Sequence, residues 1–144
     1  MNTYNLNIMK KYFLATIIML IIFVFICCDR IENRFLYIDN NSNSSISCFI
    51  TKREFNLMKK GDYFLAVDLK ENEKGNLNPV KPTWERFIEQ CDNNKLHFYI
   101  VSVDSINKYG LNTVFKQNMY LKKEYFTIED LEKMNFQIRY EPQS

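Results

Sequence analysis

Two hydrophobic regimes divide the chain. From Tyr12 to Cys28 the residues are apolar almost without a break, with only Thr16 intervening, and no charge falls between Lys11 and Asp29. Beyond Arg34 the apolar positions fall into short alternating or helical patterns. Phe35 to Asp39 reads as a strand, Asn40 to Ser44 as a turn cluster, and Ser45 to Thr51 as a second strand with Ile46, Cys48 and Ile50 on one face at period two. Phe55 to Met58 and Tyr63 to Leu69 predict a second hairpin through Lys59 to Asp62. Glu71 to Lys81 reads as a polar loop ending at Pro82.

Thr83 follows that proline as a helix N-cap. Trp84, Phe87, Ile88 and Cys91 then fall at i, i+3, i+4 and i+7, one apolar stripe suited to a core. Leu96 to Val103 is apolar on both faces, as a central strand is. Asp104 or Ser105 is placed to cap a short helix that Gly110 stops, and Asn112 to cap another turn carrying Val114 and Phe115. Tyr120 to Phe126 predicts a strand. Thr127 with Asp130 predicts a capping box opening a helix over Ile128 to Asn135, and Phe136, Ile138 and Tyr140 alternate in a last strand. The expected body is one small α+β domain over residues 35–142, with a mainly antiparallel or mixed sheet and two to four short helices.

Composition narrows the chemistry. Of 144 residues only three are glycine, and Gly61, Gly75 and Gly110 lie too far apart for a phosphate-cradling loop. The single histidine, His97, is too few for HExxH zinc sites or histidine-rich metal clusters, and no CxxC pair exists. No cofactor is expected.

The N-terminal regime has the form of a secretory signal: Lys10 and Lys11, then the apolar run. Met9, directly before Lys10, is an alternative start to Met1. The run ends Phe25-Ile26-Cys27-Cys28-Asp29, which resembles the lipobox of bacterial lipoproteins, with Phe25 where leucine is usual. The resemblance implies a signal peptide over residues 1–27, removed before a lipidated Cys28, and a short tether over 28–34. Cys27 as the lipidated residue would leave bulky Ile26 where a small residue belongs. An uncleaved membrane anchor is the alternative, since a run of 17 residues is at the short end of what spans a bilayer, while a buried soluble helix would show polar residues at helical spacing where this run has only Thr16. Removing Lys10 and Lys11 from the 19 basic residues leaves 17 against 17 acidic ones. A neutral domain has no electrostatic footprint for nucleic acid.

Most of the remaining chain resembles a family of small uncharacterised lipoproteins of bacteroidete-type bacteria. The resemblance is carried by Leu96-His97-Phe98-Tyr99-Ile100, Val103-Asp104-Ser105, Asn118 to Lys122, Tyr125 to Leu131, Met134-Asn135-Phe136 and Tyr140-Glu141-Pro142. Ile38 to Ser42 and Trp84-Glu85 also fit, and family members often carry tryptophan and arginine where this chain has Phe136 and Lys123. It implies a lipoprotein of the cell envelope, on the outer membrane ahead of the inner and facing periplasm or cell surface. It brings no biochemical activity.

Individual residues add candidates. His97 is the one side chain that ordinarily titrates near neutrality, but no nucleophile elbow accompanies it, so a strand histidine is expected rather than a catalytic one. Glu129, Asp130 and Glu132 are candidates for a metal site or acid pair, but Asp130 is better explained as complementing a helix N-terminus, and Glu85 and Glu89 are expected to be solvated. Cys48 and Cys91 are candidates for a disulfide in an oxidising envelope, with buried free thiols the alternative. Asp104-Ser105-Ile106 resembles an O-glycosylation sequon of bacteroidete-type bacteria, which makes Ser105 a candidate. The expected role is membrane-proximal binding without catalysis, through the lipid anchor and an envelope partner. Its rivals are a membrane-anchored immunity or inhibitor protein against a toxin, and an envelope hydrolase using His97.

Overall fold

Ile46, Cys48 and Ile50 do share one buried face, but Phe49 between them is buried too, so their strand is covered on both sides. The computed structural model describes residues 34–59, 62, 64–79 and 83–142, which belong to one compact unit spanning Glu32–Ser144. The segment bearing Cys28 and Ser144 itself lie outside the described residues.

Among the described residues the strands are β1 (Leu36–Asn40), β2 (Ile46–Thr51), β3 (Leu65–Leu69), β4 (Lys74–Leu77), β5 (Leu96–Ser102), β6 (Lys122–Phe126) and β7 (Gln137–Tyr140). The α-helices are α1 (Trp84–Glu89), α2 (Val103–Tyr109), α3 (Leu111–Lys116) and α4 (Ile128–Lys133). This is an α+β fold with two sheets. One, in the order β3-β2-β5-β6, is antiparallel throughout; the other, β4-β1-β7, pairs β1 antiparallel with β4 and parallel with β7.

The four-stranded sheet is the central layer. Its even-numbered β2 and β5 residues, such as Cys48 and Phe98, join β1, β7, α1 and α4 in the main core. Its odd-numbered ones, Phe49, Tyr99 and Val101, pack against Val114 and Phe115 of α3 in a second core. Both faces being apolar explains why β5 carries no hydrophobic alternation.

Helix α1 forms as its pattern predicts. Thr83 accepts a hydrogen bond from the Arg86 amide, and Trp84, Phe87 and Ile88 are buried. Cys91 lies just beyond it, buried in the same core. The capping box of α4 is complete: Thr127 accepts from the Asp130 amide at 3.2 Å while Asp130 accepts from the Thr127 amide at 3.0 Å.

Elsewhere the local reading is corrected. Phe55–Leu57 is a 3-10 turn rather than a strand, and β3 pairs with β2 instead. The polar loop contains β4, whose Gly75 lies opposite Ile38; a Cβ there would stand 2.5 Å from Leu69 Cδ2, so the glycine leaves room for the buried Leu69 side chain. Helix α2 starts at Val103 with Ser102 at its N-cap, not Asp104 or Ser105, though Gly110 does end it. Helix α3 starts at Leu111, one residue before the expected Asn112 cap. Phe136 precedes β7 and holds a positive φ of 54°, a left-handed conformation costing a bulky residue about 1–2 kcal/mol. Its ring lies beside Trp84, with the Arg34 guanidinium 4.6 Å from the ring centre.

The domain also starts earlier than residue 35. The Arg34 carbonyl accepts a hydrogen bond from the Trp84 indole at 2.9 Å, and its guanidinium pairs with Glu85 and, at 3.6 Å, with Glu132. Glu85 is therefore a solvated acid, its side chain 43% exposed, that also serves as an ion-pair partner.

Candidate functional site

Odd-numbered residues of β5 and β6 share the face that carries the second core. Register sets Tyr99 opposite Lys123 and His97 opposite Tyr125. Helix α3 covers the Tyr99 end of that face. At the His97 end the face opens into a recess of about 450 Å³ lined by Glu54, Asp92, Asn93, Lys95, His97 and Tyr125. Asp92–Asn94 form a 3-10 turn on its rim, and Asn93 and Asn94 hold positive φ angles that asparagine tolerates better than most residues.

Glu54, on the loop after β2, organises the site. Lys123 Nζ donates to both of its carboxylate oxygens at 2.7 Å. The Tyr99 hydroxyl donates to Oε2 at 3.0 Å and the Tyr125 hydroxyl to Oε1 at 2.8 Å. These four contacts use the roughly four acceptor positions of a carboxylate. Partial desolvation raises the Glu54 pKa, but the donated hydrogen bonds and the Lys123 charge outweigh it and hold the group below its ordinary range. Lys123 is pushed the other way: desolvation lowers it, while its bonds to Glu54 and Tyr125 and the adjacent charge raise it overall. Burial and the Glu54 contact raise the Tyr99 phenol. The group is thus a fixed carboxylate held by one ammonium and two phenol hydroxyl donors.

His97 stands just outside this network. It is 5% exposed, and its Nδ1 lies 3.7 Å from Glu54 Oε1, beyond hydrogen-bonding distance and without another partner. Burial lowers its pKa, opposed in part by the Glu54 and Asp92 charges, so the imidazole is neutral at pH 7. Its ring meets the Tyr125 ring edge-on, with centroids 4.9 Å apart.

The arrangement can hold a ligand through hydrogen bonds and one aromatic face. No serine, threonine or cysteine lines the recess, and among the described residues no group of three or more His, Cys, Asp or Glu is placed to hold a metal. Sequence reasoning singled out His97 but missed Glu54, Tyr99, Lys123 and Tyr125. A signal was present: on β5 Leu96, Phe98 and Ile100 are wholly apolar on one face, while His97 and Tyr99 on the other carry polar atoms that a two-sided strand must satisfy.

The other candidates are dispersed. Cys48 and Cys91 are free and buried in the main core, not joined in this structure; Cys91 Sγ donates to the Phe87 carbonyl at 3.3 Å. Burial raises both thiols to about 12. Ser105 is half-buried in the first turn of α2. Glu129 and Asp130 lie in the first turn of α4, as expected. Cys28 is outside the described residues, and no helix among the described residues is long and apolar enough to cross a membrane.

No family model, curated protein or solved structure matches the chain.

Proposed function

We propose that this protein is a lipid-anchored protein of the bacterial cell envelope whose domain binds a ligand or partner close to the membrane and does not catalyse a reaction. The lipobox-like run ending at Cys28 supports the anchor. The observation that carries the binding reading is the state of Glu54. Its acceptor positions are occupied by Lys123, Tyr99 and Tyr125, so it has no free position from which to act as a general base. The neutral His97 beside it has no serine, threonine or cysteine in the recess to activate.

The seam at Arg34 supports action near the membrane. With Arg34 held by Trp84, only residues 29–33 separate Cys28 from the folded domain, at most about 18 Å when fully extended. Several acyl chains make such anchoring stable where one is marginal. Sharing a surface with the partner raises effective concentration, so a weak interface suffices.

The test is to lengthen residues 29–33 and, separately, to release the domain as a soluble envelope protein by exchanging the signal and Cys28. Loss of function on release, with folding intact, supports the reading. Full function of the soluble form at native abundance removes tethering from the mechanism.

One observation favours the hydrolase as a second reading: an acid stands beside a histidine in a recess, Glu54 and His97, 3.7 Å apart. Loss of function in a folded His97→Ala protein, together with turnover of an envelope substrate by the parent, would establish it.

A further inference from the structure

We propose that the His97 recess is a binding site for a neutral saccharide. The inference rests on the binding reading above and names the ligand class. The recess, at about 450 Å³, falls within the range of roughly 300–1,000 Å³ found for small-molecule sites.

The lining excludes the other classes. None of its six residues is aliphatic, so a wholly apolar ligand would leave polar groups desolvated and unpaired. Its charges nearly balance: Glu54 is matched by Lys123 behind it, and Asp92 by Lys95 on the rim. Neither an anion nor a cation gains from that field. What remains on offer is a carboxylate acceptor at Asp92, an amide at Asn93 that both donates and accepts, and an ammonium donor at Lys95. Adjacent hydroxyls on one ring are the ligand groups that serve all three, since each hydroxyl both donates and accepts.

Tyr125 supplies a platform for the less polar face of a sugar ring. It is 45% exposed, yet its ring is braced edge-on by His97 and its hydroxyl is tied to Glu54. A ring fixed at both ends loses little freedom when a ligand stacks on it.

The hydrogen-bond count points the same way. Lys123, Tyr99 and Tyr125 fill Glu54, and the facing carboxylate favours the His97 tautomer with its proton on Nδ1, a donor without an acceptor. A ligand hydroxyl that accepts from Tyr125 releases Glu54 Oε1, which His97 Nδ1–H then reaches by a shift of under about 1 Å. Binding thereby satisfies a buried donor that the free protein leaves unpaired.

The experiment uses the full chain with 15N-labelled histidine, in a detergent without a sugar headgroup, titrated with maltotriose, cellobiose and the trimer of N-acetylglucosamine. His97 is the single histidine, so its ring signals need no further assignment. At least one saccharide should bind with a dissociation constant on the order of 1 mM or tighter and move the Nδ1 signal. Tyr125→Phe, which keeps the ring, should weaken binding about tenfold, as expected for one hydrogen bond, and Tyr125→Ala should abolish it. Both change an exposed side chain, and an unchanged circular dichroism spectrum verifies folding. The proposal is overturned if no saccharide moves the His97 signals, or if binding survives Tyr125→Ala. A saccharide that is bound and cleaved upholds the ligand class and overturns the non-catalytic reading. Absent binding by a chain with a verified lipid on Cys28 overturns the ligand class and leaves the anchor standing.

Discussion

The indole of Trp84 donates its N–H to the backbone carbonyl of Arg34 at 2.9 Å, across 50 positions of sequence, and this bond fixes where the chain enters the fold. Trp84 is fully buried, and the Arg34 guanidinium reaches over the neighbouring Phe136 ring. Trp84→Phe keeps most of the apolar contact and removes the donor. It should cost about 1–2 kcal/mol, combining a lost hydrogen bond with a small packing defect. Urea unfolding followed by circular dichroism measures it, since the substitution removes the chain's single tryptophan and its fluorescence. No change in midpoint would show that Arg34 is not held.

Stability should fall between pH 7.5 and 5.5 because of His97. Burial lowers its folded pKa below the ordinary 6.5, so the unfolded chain takes up the proton first. Its contribution is therefore present above about pH 6.5 and is lost as pH falls through that value toward the lower folded one. The slope from one group cannot exceed about 1.4 kcal/mol per pH unit. Glu54, Glu85, Glu129 and Asp130 are all held below their ordinary carboxylate values, so their contributions are lost at more acid pH and leave this window clear. Urea midpoints at several pH values should flatten in His97→Gln. An equally steep dependence in that variant assigns the effect to another group.

How much of this was legible from sequence depended on how local the cause is. The α1 stripe and the Thr127 capping box are set by residues within one or two turns of each other, and both form as read. Strand β4 was hidden because Lys74, Gly75 and Asn76 carry no hydrophobic alternation; its place comes from pairing with β1 and from the room that Gly75 leaves for Leu69. The parallel pairing of β1 with β7 joins residues about 100 positions apart and left no local mark. The candidate site was half-legible. His97 stood out by its chemistry, whereas Glu54 lies on an irregular loop and is recruited to Lys123, 69 positions on, only once β5 and β6 pair.

Cys48 and Cys91 should resist alkylation while the domain is folded. With both thiols raised to about 12, roughly one in ten thousand is ionised at pH 8, and both side chains are buried. After unfolding without a reductant, the mature lipidated protein should take up two alkyl groups, one at each residue. Uptake of none would mean that the pair is joined in the envelope.

The claim on which the rest depends is the anchor at Cys28. Intact-mass measurement of the protein extracted from the membranes of its own host tests it most directly. The account predicts a chain that begins at Cys28 and carries a diacylglyceryl thioether and an N-terminal acyl group, and a Cys28→Ser protein that retains its signal and bears no lipid. A parent protein that begins at Met1 or Met9 with no added lipid mass, or a Cys28→Ser protein acylated as the parent is, would contradict it.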